Sequence, residues 1–491
     1  MTFGAPRRSL KLALSIALGC AAAITSIVAV STANAASYTC TITGTSKGET
    51  IKGTEGDDVI CGMGGNDKIY GLGGNDVLIG GVGADLLSGG PGNDTVSYAD
   101  KTKSVTADLK GTSKNDGIKG EKDTIMSDVE NLAGGKASDK LTGNGGDNVF
   151  IGGQGADTFT GLGGTDTVSY ADKTGNVSAT LNGKNDDGQA GEKDKISTDI
   201  ENLIGGSGND TLSGDSKNNV LKGGLGADSF VGGAGIDTVD YSDKTAAVTV
   251  GIDIARNNDG TSGEKDSVGL DIENVIGGSG NDTITGSALV NLLTGGAGDD
   301  TLIGGPGADV FIGGDGSDTV SYADKTKSIS ANLDGAANDG EVGVNGGASE
   351  GDSIQADIEN LTGGSGDDLL TGNAGANRLA GGGGDDLLVG GLGSDVFAGD
   401  AGTDTVSYAV KTAAVVANLT GSLGDDGTSG EGDSIGIDVE NLIGTAFDDV
   451  LTGSPLDNKL EGGLGADQLN GLGGADIVSY ADRNVSVVVT L

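Results

Sequence analysis

The amino-acid sequence predicts an all-β fold, a flattened parallel β-solenoid wound from tandem nonapeptides. Three observations carry that expectation. A unit Gly-Gly-x-Gly-x-Asp-x-apolar-x recurs 27 times in six blocks, residues 53–97, 134–169, 205–240, 277–321, 363–407 and 444–479. Its eighth position is apolar in every copy, from Ile60, Ile69, Leu78, Leu87 and Val96 to Leu451, Leu460, Leu469 and Val478. The 491 residues hold 97 Gly and 3% aromatics, with no Trp and no His, so the core must be thin and repeated along the chain.

Each unit divides in two. Gly-Gly-x-Gly-x-Asp tolerates the positive φ of tight turns, and the last three residues form one short strand with its middle side chain inward. A lone unit buries one side chain, too little to offset the ordering of its backbone, so copies must stack. Turn, strand, turn, strand makes two units one coil and sets copy n against copy n+2. Rungs of a β-stack lie about 4.8 Å apart. Unscreened sixth-position carboxylates at that distance repel by on the order of 1–3.5 kcal/mol. The stack therefore requires a cation.

Taken in order, the chain opens with Arg7, Arg8 and Lys11, an apolar run from Leu12 to Val30, and Ala33-Asn34-Ala35. This is the order of a secretory signal peptide, residues 1–35, cleaved after Ala35. An uncleaved membrane anchor and a lipoprotein cysteine at Cys20 are the rival readings of this stretch. Residues 36–52 are expected to cap the first block. Cleavage leaves Cys40 and Cys61 in an oxidising compartment, where a bridge would staple the N-terminal end, two buried free thiols being the alternative. Spacers of 35 to 41 residues separate the blocks: 98–133, 170–204, 241–276, 322–362 and 408–443. Their first halves alternate, as in Val105-Thr106-Ala107-Asp108-Leu109, and read as strand. Their second halves, such as "NDDGQAGEKD" (185–194), read as solvated acidic loops before "DIENL" or a close variant, with an extra Ca²⁺ site there as the alternative. Residues 480–491 alternate at Val485, Val487, Val489 and Leu491 and are expected to cap the last block.

The nonapeptide resembles the RTX, or hemolysin-type, calcium-binding repeat, and the resemblance covers nearly all of the chain after the signal. It implies a Ca²⁺-stabilised β-roll with several ions, each held between stacked turns by Asp carboxylates and backbone carbonyls. An oxygen-only ligand set suits Ca²⁺, whereas Zn²⁺ or Cu²⁺ would want His or Cys. Carried over copy by copy, the resemblance pairs Asp58 with Asp76, Asp67 with Asp85, Asp76 with Asp94, Asp210 with Asp228, Asp282 with Asp300, Asp300 with Asp318, Asp368 with Asp386, and Asp386 with Asp404. Asp139 with Asp157 and Asp449 with Asp467 keep both acids but carry Ala137 and Phe447 where the fourth Gly belongs. Asn148, Asn219, Asn291, Asn377 and Asn458 replace the sixth-position Asp in the second copy of every block after the first, where weak or empty sites are expected.

With 72 acidic and 29 basic residues the formal charge is −43, which disfavours nucleic acid and anionic membranes as partners and favours cations. No membrane insertion is expected once the signal is cleaved. Without His, neither a Ser-His-Asp triad nor an H-E-x-x-H zinc site can be built, and no catalytic residue is assigned. An EF-hand fails in the spacers, because setting Gly188 at the sixth loop position puts Gly183 at the first. The mixed seventh and ninth positions give no regular outward array for glycans or ice. The sequence thus reads as a secreted calcium-binding repeat protein of structural or adhesive role, with a ligand-binding solenoid or an enzyme accessory region as the alternatives.

Overall fold

The computed structural model describes residues 38–112, 114–253, 258–343 and 350–480. The expected signal peptide, residues 1–35, and residues 481–491 of the expected C-terminal cap lie outside the described residues. Every regular element among the described residues is a strand, most of them three residues long. The chain divides into two compact units, residues 1–243 with 252–275, and residues 244–251 with 276–491.

In the first unit each nonapeptide contributes one strand, and copies two apart pair in parallel. Val59–Cys61 pairs with Val77–Ile79, setting Ile60 beside Leu78, and Val77–Ile79 pairs with Thr95–Ser97. Lys68–Tyr70 pairs with Leu86–Ser88 on the other side of the coil. The eighth-position side chains fill the space between the two rows, and Ile60, Ile69, Leu78, Leu87 and Val96 are completely buried. Residues 44–52 supply a degenerate copy, with Ile51 in the core and Thr50–Lys52 paired to Lys68–Tyr70. Cys40 and Cys61 are joined as a disulfide with Cα atoms 5.9 Å apart, tying the chain ahead of this first coil to it.

The spacers treat the two rows differently. One row runs through unbroken and parallel, from Thr95–Ser97 to Asn131–Ala133 to Val149–Ile151, and from Thr167–Ser169 to Asn202–Ile204. The other row reverses. Val177–Thr180 pairs antiparallel with Asn185–Gln189, which pairs antiparallel with Asp194–Ile196. Asp194–Ile196 then rejoins Thr158–Thr160 in parallel, while Val177–Thr180 starts the next stretch beside Thr211–Ser213. The parallel β-roll thus carries antiparallel returns at the spacers. The expectation of solvated acidic loops is corrected there, because Asp187 and Asp194 in "NDDGQAGEKD" are 2% and 1% exposed. The alternating first halves behave as expected, with Val177, Ala179 and Leu181 turned inward.

The second unit repeats the plan. Thr283–Thr285, Thr301–Ile303, Thr319–Ser321 and Asn360–Thr362 follow in parallel register. Ile329–Asn332, Ala337–Glu341 and Asp352–Ile354 make the antiparallel return. The core stays closed as far as Leu451 and Leu460, whereas Val478 is 41% exposed.

Candidate metal centre

The sixth-position carboxylates form a ladder along the coil edges. Each takes the backbone N–H of its counterpart one coil earlier: Asp76 Oδ1 accepts from Asp58 N at 2.8 Å, Asp85 Oδ1 from Asp67 N at 2.8 Å, and Asp94 Oδ1 from Asp76 N at 2.8 Å. The same bond joins Asp210 to Asp228, Asp282 to Asp300, Asp300 to Asp318, Asp368 to Asp386 and Asp386 to Asp404, at 2.7–2.9 Å. It also joins Asp139 to Asp157 at 2.7 Å and Asp449 to Asp467 at 3.1 Å. All ten expected pairs are brought together. Ala137 and Phe447 do no harm, since the fourth position of block-opening turns does not take positive φ.

What differs along the ladder is the second oxygen. In the opening copies it caps its own turn: Oδ2 of Asp139, Asp210, Asp282 and Asp368 accepts the N–H of the second-position Gly at 2.5 Å. Asp58 and Asp449 accept in the same way from Thr54 and Thr445, at 2.7 and 2.6 Å. These are closed turns, their carboxylates spent on backbone donors. Later copies open the turn by taking positive φ at positions two and four, as at Leu72 with Gly74 and Gly153 with Gly155. The second N–H then swings to the next coil, where Leu72 N donates to the Gly89 carbonyl at 3.0 Å. Oδ2 loses its donor. In Asp67, Asp76, Asp85, Asp94, Asp157, Asp300, Asp318, Asp386 and Asp404 this oxygen is buried without a hydrogen-bond partner.

That bare oxygen faces a carbonyl. A Cβ on Gly71, the first residue of its copy, would fall closer than 3 Å to both Asp76 Oδ2 and the Gly89 carbonyl oxygen; Gly295 stands likewise between Asp300 Oδ2 and the Gly313 carbonyl. The first Gly is thus required by close approach, keeping an oxygen-lined gap free of side chains. Among the described residues no three acidic or cysteine side chains converge on one point, so an ion here draws further ligands from backbone carbonyls. That donor set suits Ca²⁺, with its six to eight oxygens and loose geometry.

The electrostatics agree. Burial pushes Asp76, Asp85 and Asp386 up to about 6, Asp94, Asp300 and Asp404 up to about 7, and Asp157 up to about 8. Asp58, held by the Thr54 N–H, stays below the usual carboxylate range, whereas burial also raises the capping Asp139 and Asp368 to about 6. A buried carboxylate with one bare oxygen costs free energy until a proton or a cation meets it.

At the Asn rungs the bare atom disappears. Asn148, Asn219, Asn377 and Asn458 accept the second-position N–H through Oδ1 and donate Nδ2 to the carbonyls of Glu130, Glu201, Glu359 and Glu440 at 2.7–2.9 Å. Asn291 likewise accepts the Ser287 N–H at 2.6 Å. These turns are closed like those of the opening copies, and the amide Nδ2 is met by a carbonyl of the coil before.

Sequence reasoning missed two sets of acids. Asp166, Asp237, Asp309 and Asp395 carry the same bare Oδ2. The copy one coil earlier holds Asn, which hid them, yet the donor on that copy is a backbone N–H, indifferent to side-chain identity. The spacers also continue the ladder: Asp123, Asp194, Asp352 and Asp433 accept from Asp85, Asp157, Asp309 and Asp395 N at 2.7–2.9 Å. Their other oxygen is near a buried tyrosine, with Tyr98 Oη donating to Asp123 at 3.2 Å and Tyr322 Oη to Asp352 at 2.9 Å. The Glu-x-Asp that closes each spacer loop, as in Glu121-Lys122-Asp123 and Glu350-Gly351-Asp352, was the available signal.

A family model described as RTX calcium-binding nonapeptide repeat (4 copies) matches residues 43–78, 62–96, 133–168, 204–239, 268–288, 289–320, 355–388, 371–406 and 443–478, together more than half of the chain. No curated protein matches it.

Proposed function

The chain belongs to the RTX calcium-binding nonapeptide repeat family, and from that premise we propose that it is a secreted structural or adhesive protein whose β-roll folds by taking up several Ca²⁺ ions. One observation carries the reading: a buried Asp oxygen without a hydrogen-bond partner recurs at the open turns, facing a carbonyl across a side-chain-free gap. The ligands we assign to the nonapeptide turns are Asp67, Asp76, Asp85, Asp157, Asp300, Asp309, Asp386 and Asp395, with Asp228 and Asp467 by their place in the repeat, and with backbone carbonyls such as those of first-position glycines; Asp94, Asp166, Asp237, Asp318 and Asp404, which close their blocks, meet a spacer segment instead. Asp58, Asp139, Asp210, Asp282, Asp368 and Asp449 act in this proposal mainly as turn caps that hold the next carboxylate in register. Bound Ca²⁺ supplies the positive charge that offsets the acidic edges.

Binding only to the folded chain adds the ion's binding free energy to stability. Extracellular modules bind Ca²⁺ at about 10⁻⁴–10⁻³ M, so such a chain is unfolded at cytosolic calcium and folds after export. Export rests on the sequence of residues 1–35. The absence of His supports a non-enzymatic role, since it removes the usual acid–base and zinc sites. Far-UV circular dichroism during Ca²⁺ titration, with Mg²⁺ as control, tests the proposal. It predicts cooperative gain of β signal with Ca²⁺ alone; a chain already folded in chelator and unchanged by Ca²⁺ would overturn it.

A further inference from the structure

Each nonapeptide block but the last meets a spacer that ends in Asp-x-Glu-Asn: Asp128 with Glu130, Asp199 with Glu201, Asp271 with Glu273, Asp357 with Glu359, and Asp438 with Glu440. This segment imitates a nonapeptide turn. Its Glu does the work of a sixth-position Asp, since Glu201 Oε2 accepts the Asp166 N–H at 3.0 Å and Glu359 Oε2 the Asp318 N–H at 2.9 Å. Its Asp carbonyl does the work of a first-position Gly carbonyl. A Cβ on Gly161 would come closer than 3 Å to both Asp166 Oδ2 and the Asp199 carbonyl oxygen, and Gly232, Gly313 and Gly399 are crowded in the same way by their own Asp and spacer Asp.

The imitation adds something that a nonapeptide lacks. The spacer Asp brings a carboxylate of its own, one oxygen of which takes a backbone N–H, from Leu162 to Asp199 Oδ2 at 2.9 Å and from Gly314 to Asp357 Oδ2 at 3.1 Å. The other oxygen, Oδ1 of Asp128, Asp199 and Asp357, is buried without a hydrogen-bond partner. Opposite it stand Asp94, Asp166 and Asp318, each fully buried and each with a bare Oδ2.

The other edge of the same junction is built differently. There a buried lysine enters: Lys173 donates to the Gly153 carbonyl and pairs with Glu192 at 2.5 Å, and Lys101 pairs with Glu121 at 2.8 Å and donates to the Gly81 carbonyl. Its charge eases the neighbouring Asp157 and Asp85. Asp166 and Asp94 face only further acids, Glu201 and Asp199 for the first, Glu130 and Asp128 among those of the second. One edge carries its own ammonium and the other has two bare carboxylate oxygens and a spacer carbonyl.

We infer that each block-to-spacer junction holds an additional Ca²⁺ ion, liganded by the last sixth-position Asp of the block and by the side chain and carbonyl of the Asp in Asp-x-Glu-Asn. The inference rests on the reading of the nonapeptide turns as Ca²⁺ sites, and it predicts ions beyond those the nonapeptides account for. Native mass spectrometry of the full chain in Ca²⁺ counts them. The D199N variant keeps the oxygen that accepts the Leu162 N–H and loses one ion per chain; the combined D128N, D199N, D271N, D357N and D438N variant loses five and retains calcium-induced β signal. Unchanged ion counts in both variants would overturn the inference while leaving the nonapeptide reading intact. A wild-type chain that holds no Ca²⁺ would overturn both. Should the combined variant fail to fold, the single variant decides, because four junctions remain intact in it.

Discussion

Asp282 and Asp300 sit one coil apart on the same edge, yet replacing each by Asn separates the two roles that a sixth-position carboxylate plays. Asp282 is a cap. Its oxygens accept the Val248 N–H at 2.7 Å and the Gly278 N–H at 2.5 Å. In D282N one of these donors meets an amide NH₂ and is left without an acceptor, a loss of about 1–3 kcal/mol that is the same at every calcium level. Asp300 has one oxygen on the Asp282 N–H at 2.7 Å and the other bare, facing the Gly313 carbonyl. In D300N the amide keeps the first contact through Oδ1 and turns Nδ2 toward that carbonyl. The cost is then the ion. For a site that binds only the folded chain, each tenfold rise in free Ca²⁺ above its Kd adds about 1.4 kcal/mol. The assay is urea unfolding at about 1 and 10 mM free Ca²⁺, a range set by extracellular affinities. The D300N deficit grows by up to about 1.4 kcal/mol per lost site between the two conditions, and the D282N deficit stays constant. Equal calcium dependence of the two deficits would refute the division into caps and ligands.

Three further outcomes follow from the same geometry. In G71A the new methyl enters the gap between Asp76 Oδ2 and the Gly89 carbonyl and costs about 1–3 kcal/mol; in G56A, whose nearest neighbour is Thr54 Oγ1 at 3.9 Å, the change stays within about 0.5 kcal/mol, both read from urea midpoints. Burial raises Asp94, Asp300 and Asp404 to about 7 and Asp157 to about 8 in the folded chain, so without ions the fold is favoured below pH 4 and loses that support as pH rises toward 8. Ca²⁺ displaces those protons, and isothermal titration in buffers of different ionisation enthalpy records proton release at pH 6 and tighter binding at pH 8. Reducing the Cys40–Cys61 bridge, which spans 21 residues, removes about 3 kcal/mol of loop-closure entropy from the first coils; hydrogen exchange then shows lost protection at Ile51 and Ile60, with Leu212 unaffected.

The coil, its register and its core were legible because within the blocks they rest on a strict period: eighteen residues return Ile60 to Leu78 and Asp58 to Asp76. The distinction between cap and ligand was not legible. It depends on which way one N–H points, and Asp282 and Asp300 sit in closely similar nonapeptides. What separates them is the preceding coil, a spacer strand for the first and a nonapeptide turn for the second. The spacers misled for a related reason. Their acids look solvated by composition, whereas Asp187 is buried with its oxygens on the Thr180 and Ile196 N–H groups at 2.7 and 3.3 Å, tying the reversed strand to its neighbours.

On the proposed reading calcium occupies the open turns and leaves the closed ones empty. Crystals grown in Ca²⁺ and measured for its anomalous signal test this directly. The account predicts peaks about 2.3–2.6 Å from Oδ2 of Asp76, Asp94, Asp300 and Asp386, with none on Oδ2 of Asp139, Asp210, Asp282 or Asp368. Peaks confined to exposed fifth-position acids such as Asp57 and Asp299, or no peaks at the buried carboxylates, would contradict it.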